Sequence, residues 1–219
     1  MKLIEQRVEL VKPVPYKDLL EKVEQMGRLC YKSEDKIKEG SAEKFIRGLI
    51  KSGHGSVIEH ASMTLKFTTN RAMTHQIVRH RLCNFSQESQ RYCNYSDGKF
   101  GDDMLFIKPI WYDDVDCDAQ YSVCKVFEQL ETEYAYLVKM CGLKAEQARD
   151  LLPNACKTEI GVTANMREWR HIFKERCFGH ADPMIKDLMG KALEIAYACY
   201  PVFFEDLADN ALFEDEARK

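Results

Sequence analysis

No apolar run in this chain approaches the length that crosses a bilayer, and its amino terminus carries no secretory pattern. A membrane-spanning or exported protein is therefore not expected. Cys-x-x-Cys pairs are missing too. The nine cysteines are odd in number, and Cys124, Cys141 and Cys199 sit in apolar helical context. That usage reads as reduced thiols of a cytoplasmic protein, not as a disulfide framework. There is no excess of positive charge: 32 Lys and Arg against 35 Asp and Glu leave a net charge of -3. Broad electrostatic binding to nucleic acid needs a basic face, so that class is disfavoured. Repeats are absent, and no linker is long enough to define a second domain. Residues 1–219 are expected to form one domain, large enough to bury a real core.

Within this mildly acidic chain, positive charge is concentrated in one place. Residues 71–91 hold four arginines (Arg71, Arg79, Arg81, Arg91) against one acid, Glu88. Hydroxyl and amide groups follow the arginines in Ser86, Gln87, Ser89 and Gln90. Guanidinium forks match phosphate oxygens in bidentate geometry, so the stretch points to a small anionic ligand.

Apolar spacing predicts strands at 2–10 and 62–69, and helices at 16–30, 42–52 and 71–81. Residues 94–103 read as loop, with Asp97-Gly98 as a turn, followed by a short apolar piece at 105–110. A long helix is expected over 118–141, ended by Gly142, and a short one over 145–152, stopped by Pro153. A brief strand at 158–163 precedes helices at 165–176 and 183–200, with Pro183 suited to a first turn. The acidic carboxyl end is expected to fray. The fold class is α+β, a mostly helical subunit around a small mixed or antiparallel sheet.

On a continuous helix Gln76 shares a face with Arg79 and His80. Arg79 and Arg81 stand about 200° apart around the axis, so they cannot both grip one phosphate unless the helix ends there. Either it ends, or the arginines address different anions. The plain alternative is a solvated basic helix end. In an extended segment Ser89 and Arg91 point the same way, giving one anion a hydroxyl and a guanidinium. A nucleophilic role for Ser89 lacks a placed base and the nucleophile-elbow pattern. His75 and His80, about 140° apart on a helix, lack the spacing of a helical metal pair, and the flanking arginines repel cations. No metal is expected. Asn165 is placed to cap the helix that carries Arg167, Arg170, His171 and Arg176, whose amino terminus attracts phosphate. For Arg149 alone, a salt bridge is the default reading.

Together these segments resemble the flavin-dependent thymidylate synthase family. The family carries Arg-His-Arg, seven residues, then Ser, and Arg79-His80-Arg81 with Ser89 has that spacing. The order also matches at Gly53-His54 with Glu59-His60, at Gln76, at Arg91-Tyr92, at Ala148-Arg149 before Leu152-Pro153, and from Asn165 to Arg176. The resemblance, over about residues 40–200, implies a homotetramer with active sites at subunit interfaces. It implies FAD contacts from Ser56, Arg79, His80, Arg81, Gln87, Asn165, Arg167 and His171, with His54 near the flavin. It implies dUMP contacts from Gln76, Arg79, Gln87, Glu88, Ser89, Gln90 and Arg91, with Arg149 supplied by another subunit. Arg176 matches the arginine that polarises the uracil. NADPH and 5,10-methylenetetrahydrofolate are the implied co-substrates. Two positions depart from the commoner family pattern, Ser86-Gln87 in place of Asn-Glu and His171 in place of Asn. The rivals are another flavin-dependent nucleotide enzyme, and a single-strand nucleic-acid binder stacking bases on Phe85, Tyr92 and Tyr95.

Overall fold

Every second side chain of Lys157–Asn165 is buried: Thr158, Ile160, Val162 and Ala164 point inward while their neighbours stay partly exposed. That period of two makes the segment a central strand. The structure, a computed structural model, describes residues 1–96 and 103–216, with backbone alone beyond Ala208. Its elements in chain order are β1 (Lys2–Ile4), β2 (Arg7–Leu10), α1 (Tyr16–Tyr31), α2 (Ser41–Lys51), β3 (Ser62–Asn70), α3 (Arg71–Ile77), β4 (Asn84–Gln87), β5 (Leu105–Ile107), α4 (Cys117–Lys139), α5 (Ala145–Ala148), β6 (Lys157–Asn165), α6 (Met166–Arg176), α7 (Pro183–Cys199) and α8 (Pro201–Glu216). The class is α+β. One sheet has the order β2-β3-β6-β4, and a second is the parallel pair β1-β5. Thr64 meets Thr163 and Thr68 meets Glu159, so numbers rise along β3 as they fall along β6, which makes that pair antiparallel.

Two compact units emerge. The first comprises Met1–Arg7, Phe67–Arg79 and Ser86–Ile160, the second Val8–Lys66, His80–Phe85 and Gly161–Lys219. In the first, Phe106 and Phe127 stack with centroids 4.2 Å apart beside Met104, Tyr134 and Ala148. The terminal ammonium of Met1 donates to Glu131 at 2.7 Å, which raises its pKa and pins β1 to α4. In the second, Trp169 stacks on Phe173 at 5.7 Å, and Phe173 meets Phe204 edge-on at 5.5 Å. These rings are fully buried, so truncating one costs about 3–5 kcal/mol. Arg170, also buried, donates through both terminal nitrogens to Asp206 at 2.7 Å and ties α6 to α8.

Several expectations are corrected. The strand expected at 2–10 is two strands in different sheets, broken around buried Gln6, whose side-chain oxygen accepts from the Thr69 hydroxyl at 3.1 Å. The helix expected to reach Arg81 stops at Ile77, and the shared face of Gln76, Arg79 and His80 disappears with it. Polar β4 was not foreseen, and β6 is longer than expected. The carboxyl end is helical through Glu216, because Val202, Phe203, Phe204 and Leu207 bury the start of α8. The Asp97-Gly98 turn lies outside the described residues.

Candidate functional site

The residues expected to contact dUMP fall in the first unit, except Arg176, which belongs to the second. β4 brings Gln87 to Thr74 and Thr158, and its amide nitrogen donates to their hydroxyls at 3.1 and 3.3 Å. Glu88 follows, its backbone N–H donating to the Glu159 carbonyl at 2.9 Å. Its carboxylate accepts from the Tyr95 hydroxyl at 2.7 Å and pairs with Lys157 at 2.9 Å. Burial, then the bond to Glu88, raises the Tyr95 pKa, so the phenol stays protonated. Glu88, Tyr95, Asp103, Leu105, Lys157 and Glu159 line a cavity of about 190 Å³. Beyond Glu88 the chain turns, so Ser89 and Arg91 are not strand neighbours as expected. The Ser89 hydroxyl accepts from Arg91 N–H at 3.3 Å, a local turn bond. Arg91 reaches Glu146 at 3.6 Å and lies 5.4 Å from the Tyr92 ring centroid. Gln76 and Gln90 are half-buried, whereas Arg79 and Arg149 are exposed, Arg149 on a 3-10 turn.

In the second unit, α6 with its cap carries Asn165, Arg167 and His171 of the residues expected at the flavin, whereas Arg79 and Gln87 of that set belong to the first. The Asn165 side-chain oxygen caps α6 by accepting from Glu168 N–H at 2.8 Å, leaving the amide nitrogen for other use. Arg167 and His171 lie on its exposed side, with Arg176 at its last residue. Arg167 pairs with Glu59 at 2.6 Å and lies across Gly55, where an added Cβ would come within 3.1 Å of its Nε. Gly53, with φ of 73°, closes α2: His54 N–H donates to the Leu49 carbonyl and Gly53 N–H to that of Ile50. That left-handed stop presents His54 and Ser56 on an exposed turn.

His80 is buried, only 7% exposed. Arg176 Nε donates to its Nε2 at 3.1 Å, and Glu168 faces its Nδ1 at 3.9 Å. The His171 ring meets it edge-on at 5.8 Å. Burial, then the positive charge of Arg176, lowers the His80 pKa to about 4, so the imidazole is neutral at pH 7. A neutral ring accepting at Nε2 carries its proton on Nδ1, toward Glu168. The terminal nitrogens of Arg176 have no carboxylate partner among the described residues. His80, Glu168 and His171 bring ligand atoms within 4.8 Å of one another, but the guanidinium on His80 opposes a cation there. Glu168 was missed in the sequence, although Asn165-x-x-Glu168 has the spacing of a helix cap. Lys157 was missed as well, and Tyr95 was named only as a stacking residue of the nucleic-acid rival, not as a partner of Glu88. The strand expected at 158–163 stopped short of Lys157, and nothing in the sequence named Glu88 as its partner.

The donor set suits a flavin nucleotide. Arg81 is exposed and unpaired among the described residues, as an anion-binding fork requires. His54, Ser56 and His171 are exposed hydrogen-bonding groups, and the Asn165 amide nitrogen is spare.

Comparison with known proteins agrees. Residues 12–202 match the family model Thy1, described as thymidylate synthase complementing protein. Flavin-dependent thymidylate synthase of Mycobacterium tuberculosis is 34% identical over 206 residues, covering 87% of this chain and 80% of that protein. The Geobacter sulfurreducens protein of the same name is 34% identical over 196 residues, covering 85% and 81%. Among solved structures, the UMP/dUMP methylase PolB from Streptomyces cacaoi, bound with 5-Br dUMP, gives a TM-score of 0.74 at 25% identity, covering 94% of this chain and 96% of that one. ThyX from Helicobacter pylori, with FAD and dUMP, shares the fold at a TM-score of 0.73 and 20% identity, covering 92% and 98%. Motif spacing, fold and relatives of this identity and coverage agree, and the chain belongs to the flavin-dependent thymidylate synthase family.

Proposed function

We propose that this chain methylates dUMP reductively to dTMP, taking its carbon from 5,10-methylenetetrahydrofolate and its hydride from NAD(P)H through FAD. The observation that carries the reading is the Arg176–His80 pair. His80 uses up only the Nε donor of Arg176 and adds no charge of its own, which leaves the terminal fork directed by a buried, neutral partner. Such a group stabilises the enolate-like negative charge on a uracil carbonyl that makes C5 nucleophilic toward an electrophilic one-carbon donor, without reorganising during the reaction. Bound flavin supplies the hydride transfer that no side chain can perform.

The remaining residues bind and orient. Arg79 and Arg91 provide cations for a nucleotide phosphate, and Ser89 provides a hydroxyl. Gln76, Gln87, Glu88 and Gln90 supply polar contacts for ribose and base. His54, Ser56, Arg81, Asn165, Arg167 and His171 hold the flavin nucleotide, with Arg79, His80 and Gln87 beside it. Exposed Arg149 has no ion-pair partner among the described residues, which supports its use by a neighbouring subunit of a homotetramer. Residues 1–219 act as one synthase domain, and the protein is cytoplasmic. No helix among the described residues is long and apolar enough to cross a membrane.

The test is direct. Purified protein is expected to be yellow and to form thymidylate from dUMP when the folate and NADPH are supplied. UMP assayed beside dUMP distinguishes a ribonucleotide methylase. A colourless protein with steeply salt-dependent affinity for single-stranded nucleic acid would instead favour the non-enzymatic rival.

A further inference from the structure

A second, larger cavity in the second unit shares only His54 with the roles assigned above. It measures about 810 Å³ and is lined by α1, by residues 35–40 and by α2 as far as His54. Lys36, Lys38 and Lys44 are on its wall, all exposed and none ion-paired among the described residues. Asp35 and Glu39 share the wall, so three ammonium groups against two carboxylates leave it a formal charge of +1. The one guanidinium present, Arg28, is already occupied: its Nε and Nη2 donate to Glu24 at 3.2 and 2.9 Å, and it lies 4.3 Å from the Phe45 ring centroid. The loop is tethered. The Ser41 hydroxyl donates to Glu24 at 2.7 Å and accepts from Lys38 N–H at 3.0 Å, fixing the backbone that presents Lys38. Gly40, with φ of 75°, turns the chain into α2, whose amino terminus adds positive partial charge. His54, read as the residue beside the flavin, belongs to the same wall.

We propose that this cavity binds the polycarboxylate tail of the folate co-substrate, an inference that rests on the function proposed above. The dUMP and flavin sets account for two ligands, and the carbon donor needs a place of its own. A folate ends in glutamate, and each added glutamate extends a flexible chain by one more carboxylate. Ammonium groups are compact point charges on flexible stems, and spread over an open cavity they suit carboxylates spaced along a chain. A lone phosphate is better gripped by a guanidinium fork, and Arg28 has none to spare.

The experiment compares mono- and pentaglutamyl methylenetetrahydrofolate in wild type and in the triple variant Lys36→Gln/Lys38→Gln/Lys44→Gln. Wild type is expected to show a KM roughly tenfold lower for the pentaglutamyl donor, the scale three exposed ion pairs supply. The variant is expected to lose that preference while keeping its KM for the monoglutamyl donor and for dUMP. A wild type indifferent to tail length, or a variant that keeps the preference, overturns the proposal. So does a variant whose KM rises for NADPH but not NADH, since the cavity would then hold a phosphate. Calorimetric titration with free penta-γ-glutamate separates this proposal from the reading beneath it. Binding by wild type and not by the variant supports the cavity whatever the turnover, and absence of binding to wild type overturns it. Failure to form thymidylate from either donor counts against the function alone.

Discussion

Arg176 reaches back from the last residue of α6 to donate to His80, so an arginine at a helix end is held by a histidine that lies beyond another helix. Neither residue has this relationship in sequence, where 96 positions separate them. The bond needs an imidazole without charge, and burial supplies that condition.

The first expectation concerns pH. His80 titrates near 4 in the folded chain against 6.5 for an unperturbed histidine. Between these values the unfolded chain binds more protons, so the contribution of His80 to stability is full above about pH 6.5 and falls away as the pH drops toward 4. In His80→Gln an amide oxygen can still accept from Arg176, but nothing titrates. Urea midpoints measured from pH 4 to 7 should slope less for His80→Gln than for wild type. Parallel slopes would show that His80 is not buried in neutral form.

Asn165 has two separable duties. Asn165→Ala removes the cap of α6 and should cost about 1 kcal/mol in denaturant unfolding. Asn165→Asp keeps an acceptor for Glu168 N–H, so stability should return, while the added negative charge and the lost amide donor should weaken FAD binding. If Asp restores FAD affinity along with stability, the side chain acts on the cofactor only through the cap.

Ser89 is a binding group in this account, with its hydroxyl engaged by Arg91 N–H and no histidine or carboxylate hydrogen-bonded to it among the described residues. Ser89→Ala should raise the KM for dUMP by roughly tenfold, the scale of one lost polar contact, and keep measurable turnover. Complete loss of turnover with dUMP bound and FAD reducible would point to covalent chemistry.

At Gly55 the neighbouring Arg167 side chain is exposed and can move, but an added Cβ would displace it from its place against Glu59. Gly55→Ala should leave the unfolding midpoint nearly unchanged and weaken FAD binding, read by fluorescence titration. An unchanged FAD affinity would remove Arg167 from the cofactor set.

Much of this was legible in the sequence because its signals are local. The apolar side of α6 announced its buried face, Asn165 and Pro183 marked helix starts, and β6 was foreseen only as a brief strand at 158–163. The end of α3 was not legible. Asn84–Gln87 has one apolar residue, Phe85, so β4 exists by pairing within the sheet and not by propensity, and without it nothing required the helix to stop at Ile77. The acidic composition of the carboxyl end hid the helix that Phe203 and Phe204 anchor. At the site, the spacing of Arg79-His80-Arg81 and Ser89 named the residues, but long-range pairs such as Arg176–His80 and Lys157–Glu88 carry no sequence period.

Thymidylate formation by wild type and Arg176→Lys, measured side by side with saturating dUMP, folate and NADPH, tests the account most directly. Lysine keeps the charge but loses the fork and the Nε bond, so kcat should fall about 100-fold with the protein still yellow and still binding dUMP. Equal rates in the two proteins would contradict it.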